Sequence, residues 1–328
     1  MRTWAVRLRP DRAPETWCEV ERLEAWSIVN PAAGRGDALR AWRQLERELP
    51  EAAGLRLFQT DGPGHAARLA RQAAEAGAER LVVVGGDGTV GEVARGLVES
   101  GLPAERQPVV GIVPAGTGND FGLGLGLPQA PREALERGLY GEARPVDLIR
   151  VEIPGRGSFL GVNTFGAGFD GAVVREVNSA WYKSFLGGLS YHTAVLKGLL
   201  TFRPLTAWLA EEGGEERRYE RVWLCNCVNT ERLAGGMRAA PGADASDGRL
   251  DLFLAHDLSR AGALPVFARV IQGRHLGDPR TLVHRVTAFT VRFAEEVAAQ
   301  LDGEGLGLVA PGTRLRVSVL PGAVRVAR

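Results

Sequence analysis

Short apolar runs alternate with segments of helical periodicity through the first 145 residues of the chain. Residues 25–29, 55–58, 81–84 and 109–113 are predicted strands, and apolar residues recur three or four positions apart between them. The run at 81–84 is apolar throughout, which is typical of a parallel strand covered on both faces. The alternation predicts an α/β domain whose ligands bind beyond the carboxyl ends of the strands.

The pattern changes after about residue 145, where strand-like runs follow one another with few helical segments between them. Helices are predicted at about 184–200 and 259–272. The second half is therefore predicted to be a mainly antiparallel β domain with helical insertions. Its predicted strands are residues 146–153, 159–165, 206–210, 219–228, 249–254, 288–294 and 315–320.

Composition and charge narrow the classes of function. The 328 residues are 45% hydrophobic and have a formal net charge of +1, as in an ordinary globular protein. Such a balance gives no overall field that would attract nucleic acid, and no nucleic-acid partner is expected. No apolar stretch reaches the roughly 20 residues of a membrane-spanning helix. We expect a cytoplasmic protein that makes at most transient contact with a membrane surface.

A glycine-rich turn follows the third predicted strand, where residues 85–89 read Gly-Gly-Asp-Gly-Thr. Without Cβ atoms, Gly85, Gly86 and Gly88 let a ligand approach main-chain N–H groups at the start of the next helix, an arrangement that binds phosphate. A carboxylate in that position repels phosphate unless a cation lies between them. Asp87 is therefore expected to handle Mg²⁺, directly or through water.

A second glycine-rich loop follows the fourth strand, where residues 114–121 read Pro-Ala-Gly-Thr-Gly-Asn-Asp-Phe. Thr117 is a candidate for phosphate or ribose binding, and Asp120 is expected to join Asp87 in a pair of carboxylates. The structural alternative is a turn in which Asn119 and Asp120 bind local main chain.

Two other nucleotide motifs fit less well. Residues 86–91 match G-x-G-x-x-G after a strand, but Glu105, at the spacing expected of the ribose-binding acid, precedes the next strand instead of ending it. A P-loop requires a lysine after glycine, and the only lysines, Lys183 and Lys197, lack that context. A dinucleotide-dependent oxidoreductase is thus a distant alternative.

Several segments together resemble the diacylglycerol kinase catalytic-domain superfamily, which includes sphingosine kinases and soluble bacterial lipid kinases. The resemblance covers the chain from about residue 25 onward, and its most specific parts are the 114–121 loop and the Asp-Gly-Glu of residues 302–304. The segments are residues 29–34, 85–89, 114–121, 163–170, 234–236 with Pro241, 247–252 and 301–304.

The resemblance implies a Rossmann-like α/β nucleotide-binding domain, residues 1–145, completed by a returning C-terminal strand at about 314–328. A β-sandwich lipid-substrate domain would occupy residues 146–313. It also implies that ATP binds with Mg²⁺. The nucleotide-binding residues would be Asn30, Gly34, Thr60, Gly85, Gly86, Asp87, Gly88, Thr89, Glu92, Thr117 and Asp120.

The same resemblance places a Mg²⁺ site at Asp244, Asp247 and Arg249, with Asp147 orienting a water in that network. It makes Glu304 the acceptor of the substrate proton, with Asp302 close by and Asp87 as the third catalytic residue. The sequence departs from the family pattern at Gly91, where an asparagine usually precedes the glutamate. That departure is expected to weaken a local nucleotide contact.

The sequence thus predicts an ATP- and Mg²⁺-dependent lipid kinase that acts on diacylglycerol or a related lipid alcohol. An NAD kinase-like enzyme and a non-catalytic nucleotide- or lipid-binding homologue remain as alternatives. The apolar segment 181–202 is predicted either to line an acyl pocket or touch a bilayer, or to pack on the β-sandwich. The oligomeric state is left open, with a dimer among the possibilities.

Overall fold

The computed structural model describes residues 24–116, 118–179, 189–233 and 237–328. The described residues divide into two compact units, one of those up to 146 with 323–328 and one of those from 147 to 322. The segment 314–328 was predicted to return to the first domain. Its residues up to Gly322 belong to the second unit, and residues 323–328 belong to the first. No helix among the described residues has the length and apolar character needed to cross a membrane.

The first unit contains a parallel sheet in the order β2-β1-β3-β4. In strand β18 (Leu315–Ala327), Val326 pairs with Val110 in parallel beside β4. The strands are β1 (Ala25–Val29), β2 (Arg56–Gln59), β3 (Arg80–Gly85) and β4 (Val109–Pro114). The helices are α1 (Asp37–Glu48), α2 (Pro50–Ala53), α3 (His65–Glu75), α4 (Asp87–Glu99), α5 (Asp120–Gly124) and α6 (Pro131–Tyr140).

Helices cover both faces of this sheet. Val82 and Val84 of β3 pack with Trp42 of α1 and Leu135 of α6 in one core cluster. The intervening Val83 is also fully buried, and α3 and α4, which pack on each other, contact β1 and β3. Residues 81–84 of β3 are all apolar because helices cover both faces of the sheet at this strand.

The second unit contains most of its strands in antiparallel pairs. Its first strands and helices are β5 (Ala143–Ile153), β6 (Gly157–Gly161), β7 (Thr164–Gly168), α7 (Phe169–Ser179), α8 (Leu189–Thr201), β8 (Leu205–Glu211), β9 (Arg217–Val222) and β10 (Leu224–Val228). The remainder are β11 (Arg232–Leu233), β12 (Met237–Arg238), β13 (Leu250–Ala255), α9 (Arg260–Ile271), β14 (Thr281–Val286), β15 (Ala288–Phe293), β16 (Val297–Leu301) and β17 (Glu304–Val309).

Two sheets of this unit share a core. One runs β14-β13-β10-β7-β16-β17, and the other contains the β18-β15-β8-β9 path and the β5-β6 pair. Phe165 of β7 and Leu252 of β13 lie in the same apolar cluster as Leu209 of β8 and Phe289 of β15. A second cluster packs α7, α8 and α9 on the other face of the first sheet, around Phe253. The predicted fold class, an α/β domain followed by a β-sandwich, is confirmed.

Some predicted strands are wrong in detail. The run at 219–228 is two strands, because the chain leaves β9 in one sheet and enters β10 in the other at the fully buried Trp223. The run at 159–165 likewise falls on β6 and β7. Helix α7 and strands β14, β16 and β17 were not predicted, since their apolar positions follow no long regular period.

Gly96 allows α3 and α4 to pack closely, and we expect Gly96→Ala to destabilise the protein. A Cβ at this position would lie 2.0 Å from the Ala67 carbonyl oxygen. Forcing the helices apart should cost about 1–3 kcal/mol, which outweighs the ~1 kcal/mol gain in helix propensity. Urea unfolding measures the loss. Gly62→Ala, whose Cβ would meet nothing within 4 Å, is the control, and equal stability of the two variants would contradict the expectation.

Candidate functional site

Three loops of the first unit lie at the carboxyl edge of its sheet, after β1, β3 and β4. They touch through glycines: a Cβ on Gly34 would be 2.4 Å from the Ala115 carbonyl oxygen, and one on Gly116 would be 2.5 Å from Gly86 Cα. A Cβ on Gly85 would be 2.7 Å from Thr89 Oγ1. Contacts within the protein therefore require glycine at positions 85 and 86. The sequence had suggested only the approach of a ligand as the reason for these glycines.

Polar contacts join the first two loops. Asn30 Nδ2 donates to Thr89 Oγ1 at 2.9 Å, and Asn30 Oδ1 accepts from the Ala32 main-chain nitrogen. Thr60, at the end of β2, donates its main-chain N–H to the Val29 carbonyl. The structure therefore brings three predicted nucleotide-binding residues to the ends of neighbouring strands. Gly91 is buried within α4.

Asp87 holds the third loop. Its Oδ2 accepts from the Asp120 main-chain nitrogen at 3.0 Å, and its Oδ1 accepts from that of Phe121 at 3.1 Å. These are the first N–H groups of α5, which has no side-chain cap of its own. The structure brings Asp87 and Asp120 together, and the contact between them runs from the Asp87 carboxylate to the main chain of Asp120.

Glu92 holds another helix start. Its carboxylate oxygens accept from the main-chain nitrogens of Gly64 at 2.8 Å and Ala66 at 3.1 Å, at the beginning of α3. Helix α3 also lacks a side-chain cap of its own. In this unit, Glu92 therefore caps α3 across 26 to 28 residues of sequence. Predicted Thr117 lies outside the described residues.

In the second unit, Asp302 anchors the turn between β16 and β17. Its carboxylate accepts from the main-chain nitrogens of Val162, Asn163 and Thr164, at 2.6, 2.8 and 2.8 Å. Asp302 and Gly303 both have positive φ, 51° and 81°, as in a two-residue hairpin turn. Glu304 then begins β17 at an exposed position.

Asp147 anchors two other turns in the same unit. Its oxygens accept from the main-chain nitrogens of Gly248 and Gly322, both at 2.7 Å. Burial is the main cause that raises the pKa of Asp147, and the charges of Asp247 and Asp244 raise it further against these two donors. The structure therefore places the predicted metal-site residues Asp244 and Asp247 near enough to Asp147 for their charges to act on its carboxylate.

In the neighbouring loop, residues 244–249, side chains accept hydrogen bonds from the main chain of the same loop. Asp244 Oδ1 accepts from the Ser246 main-chain nitrogen and Asp247 Oδ1 from that of Arg249. Arg285 lies 3.6 Å from Asp247 and 3.6 Å from Asp251, and burial raises the pKa of Asp251 to about 6.

The cluster suits Mg²⁺ in donor type, because carboxylate and main-chain oxygens are its preferred ligands and a cation would relieve the repulsion. Arg249 can contribute only its carbonyl oxygen, since a guanidinium has no acceptor. Among the described residues, no three His, Cys, Asp or Glu side chains form a group that could hold a metal ion. A cation here would therefore need main-chain oxygens or water as additional ligands.

Sequence-based prediction missed Gln300, although it was recognisable as the one polar residue of strand β16, which reads Val-Ala-Ala-Gln-Leu. Gln300 is 1% exposed, and its Oε1 accepts from the Gly303 main-chain nitrogen at 2.8 Å. It therefore binds the turn that carries Asp302.

Comparisons with known proteins identify the family of the chain. Residues 24–151 match the family model of the diacylglycerol kinase catalytic domain, and residues 163–328 match that of the YegS C-terminal NAD kinase beta sandwich-like domain. The chain belongs to the diacylglycerol kinase family. The resemblance drawn from the sequence motifs is thereby confirmed. The predicted enzyme class, a phosphotransferase with an alcohol acceptor, is confirmed at the level of the family.

Relatives and solved structures extend the match. "Diacylglycerol kinase" of Bacillus subtilis (strain 168) is 28% identical over 64% of this chain and 67% of its own length. "Probable lipid kinase YegS" of Salmonella arizonae is 30% identical over 66% of this chain and 68% of its own length. A crystal structure described as a candidate diacylglycerol kinase from Bacillus anthracis str. Sterne has a TM-score of 0.71 at 25% identity, covering 93% of this chain and 97% of that one.

We expect Asp87→Ala to release the start of α5. Loss of a helix cap should lower the free energy of unfolding by about 1–2 kcal/mol and speed hydrogen exchange at the Asp120 and Phe121 amides. Glu75→Ala, which removes an exposed acid bonded to Arg71 at the end of α3, is the control and should change stability by less than about 0.5 kcal/mol. Unchanged exchange at both amides would contradict the capping role.

Proposed function

We propose that this chain is an ATP- and Mg²⁺-dependent lipid kinase that transfers the γ-phosphate of ATP to the hydroxyl of diacylglycerol or a related lipid alcohol. The observation that carries the proposal is the meeting of three glycine-bearing loops at one edge of the parallel sheet, in a member of the diacylglycerol kinase family. Such an edge is where α/β sheets bind nucleotides.

In the first unit, main-chain N–H groups at the start of α4 would bind the phosphates, because a helix N-terminus attracts anions. Each carboxylate oxygen has two acceptor sites, so Asp87 can cap α5 and still contact Mg²⁺ through water. The residues proposed to line the nucleotide site are Asn30, Gly34, Thr60, Gly85, Gly86, Asp87, Gly88, Thr89, Glu92, Thr117 and Asp120.

In the second unit, Asp147, Asp244, Asp247 and the carbonyl of Arg249 are proposed to hold Mg²⁺, directly or through water. The ion would supply positive charge that offsets the charge developing on the transferred phosphoryl group. Burial, and after it the charges of Asp247 and Asp244, raise the pKa of Asp147, and a cation would offset those charges.

Glu304 is the proposed base. It would accept the proton of the lipid hydroxyl as that oxygen bonds to the γ-phosphorus and ADP leaves with the electrons of the broken bond. Asp302 would act beside it by fixing the turn, since its carboxylate is engaged by three main-chain amides. The exposed position of Glu304 supports access by a substrate.

A lipid acceptor is supported by apolar side chains on α8. Leu196 and Leu200 are 62% and 68% exposed, which favours transient contact with a bilayer surface over packing on the β-sandwich at these two positions. Residues 181–188, predicted to take part in the same contact, lie outside the described residues.

We expect Glu304→Gln to lower the rate of phosphate transfer about 10²- to 10⁴-fold, as loss of a general base does, while ATP binding persists. Radiolabelled ATP with diacylglycerol in mixed micelles measures the rate, and calorimetry measures binding. Glu296→Gln, at an exposed position before β16, is the matched control and should keep its rate. A folded Glu304→Gln variant with near-normal turnover would show that Glu304 is not the base. Phosphate transfer by the wild type to NAD but to no lipid would refute the proposed function.

We expect EDTA to abolish transfer and added Mg²⁺ to restore it. Asp247→Asn removes one negative charge from the proposed metal cluster, so the Mg²⁺ concentration for half-maximal rate should rise roughly ten-fold. Glu105→Gln removes an exposed acid of the first unit and should leave that concentration unchanged. Identical Mg²⁺ titrations of the Asp247 variant and the wild type would contradict the assignment.

A further inference from the structure

A row of polar residues crosses three neighbouring strands of the second unit. Gly166 of β7 pairs with Asn226 of β10 on one side and with Gln300 of β16 on the other. The exposed fractions of Asn226 and Gln300 are only 2% and 1%. Buried side-chain amides in a sheet require partners, because an unsatisfied polar group is costly in the interior.

Their shared partner is Asp170, in the first turn of α7. Asp170 Oδ2 accepts from Gln300 Nε2 at 2.7 Å and from Asn226 Nδ2 at 3.3 Å. A Cβ on Gly166 would lie 2.1 Å from the same Oδ2 and 2.7 Å from Gln300 Nε2. The missing side chain at Gly166 therefore provides the space that the carboxylate and the amide fill.

Burial raises the pKa of Asp170, and the hydrogen bonds from Gln300 and Asn226 act in the opposite direction. The N-terminus of α7, an 11-residue helix, presents partial positive charge to an acid in its first turn. The two amide groups add hydrogen bonds to the charged form. The carboxylate is thus held by three elements at once.

Asp170 also determines which way the Gln300 amide points. Because Asp170 Oδ2 accepts from both amides, Gln300 turns its NH₂ group toward that oxygen. Its oxygen then faces away and accepts from the Gly303 main-chain nitrogen at 2.8 Å. With the amide reversed, two N–H groups would face each other at Gly303.

The turn that receives this contact has a specific shape. The pairing of β16 with β17 shifts register between Ala299 and Gln300, an irregularity that redirects the residues after it. The Asp302 carboxylate binds the 162–164 main chain, and Gln300 binds the Gly303 main-chain nitrogen. Two side chains therefore hold the turn from which Glu304 leaves.

We propose that Asp170 is a positioning residue that orients Gln300 and through it fixes the turn preceding Glu304, an inference that rests on the proposed role of Glu304 as the base. A catalytic group displaced by about 1 Å loses roughly 10² in rate. Asp170 and Gln300 thus affect the rate of transfer without touching ATP.

The first test compares two variants that each remove one amide from Asp170. Gln300→Met removes the link to Gly303, and Asn226→Leu leaves that link in place. We expect Gln300→Met to lower kcat at least ten-fold with the Kd for an ATP analogue unchanged, and Asn226→Leu to keep at least about a third of the wild-type kcat at a similar loss in Tm. Equal losses of kcat in the two variants would show a structural role alone and overturn the proposal, as would near-normal kcat in Gln300→Met.

The second test exchanges the two groups. Gln300→Glu places a second acid against Asp170 and should lower kcat, whereas the Asp170→Asn, Gln300→Glu double variant restores one donor and one acceptor-only group. We expect the double variant to recover most of the kcat lost in Gln300→Glu. Failure to recover in a folded double variant would contradict the proposed dependence of the turn on the pairing of residue 170 with residue 300.

A measurement without catalysis separates this inference from the proposed function. Hydrogen exchange at the Gly303 amide should be slow in the wild type, faster in Gln300→Met and slow again in the double variant. If that pattern holds while Glu304→Gln stays active, the base assignment fails and the Asp170–Gln300 contact stands. If Gly303 exchanges equally fast in all three, the contact itself is refuted.

Discussion

Carboxylates that accept hydrogen bonds from main-chain N–H groups hold the loops of the candidate site. Asp87 binds the start of α5, Glu92 the start of α3, Asp147 the turns at Gly248 and Gly322, and Asp302 the main chain at 162–164. Hydrogen bonds to a charged acceptor are roughly twice as strong as neutral ones. They also satisfy N–H groups that helix starts and turns cannot pair within themselves.

Glycines determine how closely these loops approach one another. At Gly34 and Gly116 the neighbouring main chain lies where a Cβ would be, and at Gly166 a carboxylate and an amide occupy the corresponding space. Glycine loses more conformational entropy on folding than other residues do. At these positions, its missing side chain allows two segments distant in sequence to come into contact. The shape of each loop is therefore set by residues outside it.

The periodicity of the sequence predicted the parallel sheet of the first unit well, since residues 81–84 of β3 and 109–113 of β4 carry no polar side chain and both strands are followed by glycine-rich turns. It predicted the second unit less well. Residues 219–228 have the pattern of one continuous strand, but they form two strands that lie in different sheets. The residue types of the candidate site were recognisable, but their partners were not. Asp302 binds main chain 138 to 140 residues away, and no local pattern encodes a contact of that range.

Strand β18 has a consequence for how the protein is made. Residues 315–318 pair with β15 in the second unit, whereas Val326 pairs with Val110 beside β4 in the first. During synthesis, the ribosome must therefore produce the whole second unit before the sheet of the first can gain this neighbour. Until then, β4 lacks this neighbour at Val110, and an unpaired strand edge can pair with another chain.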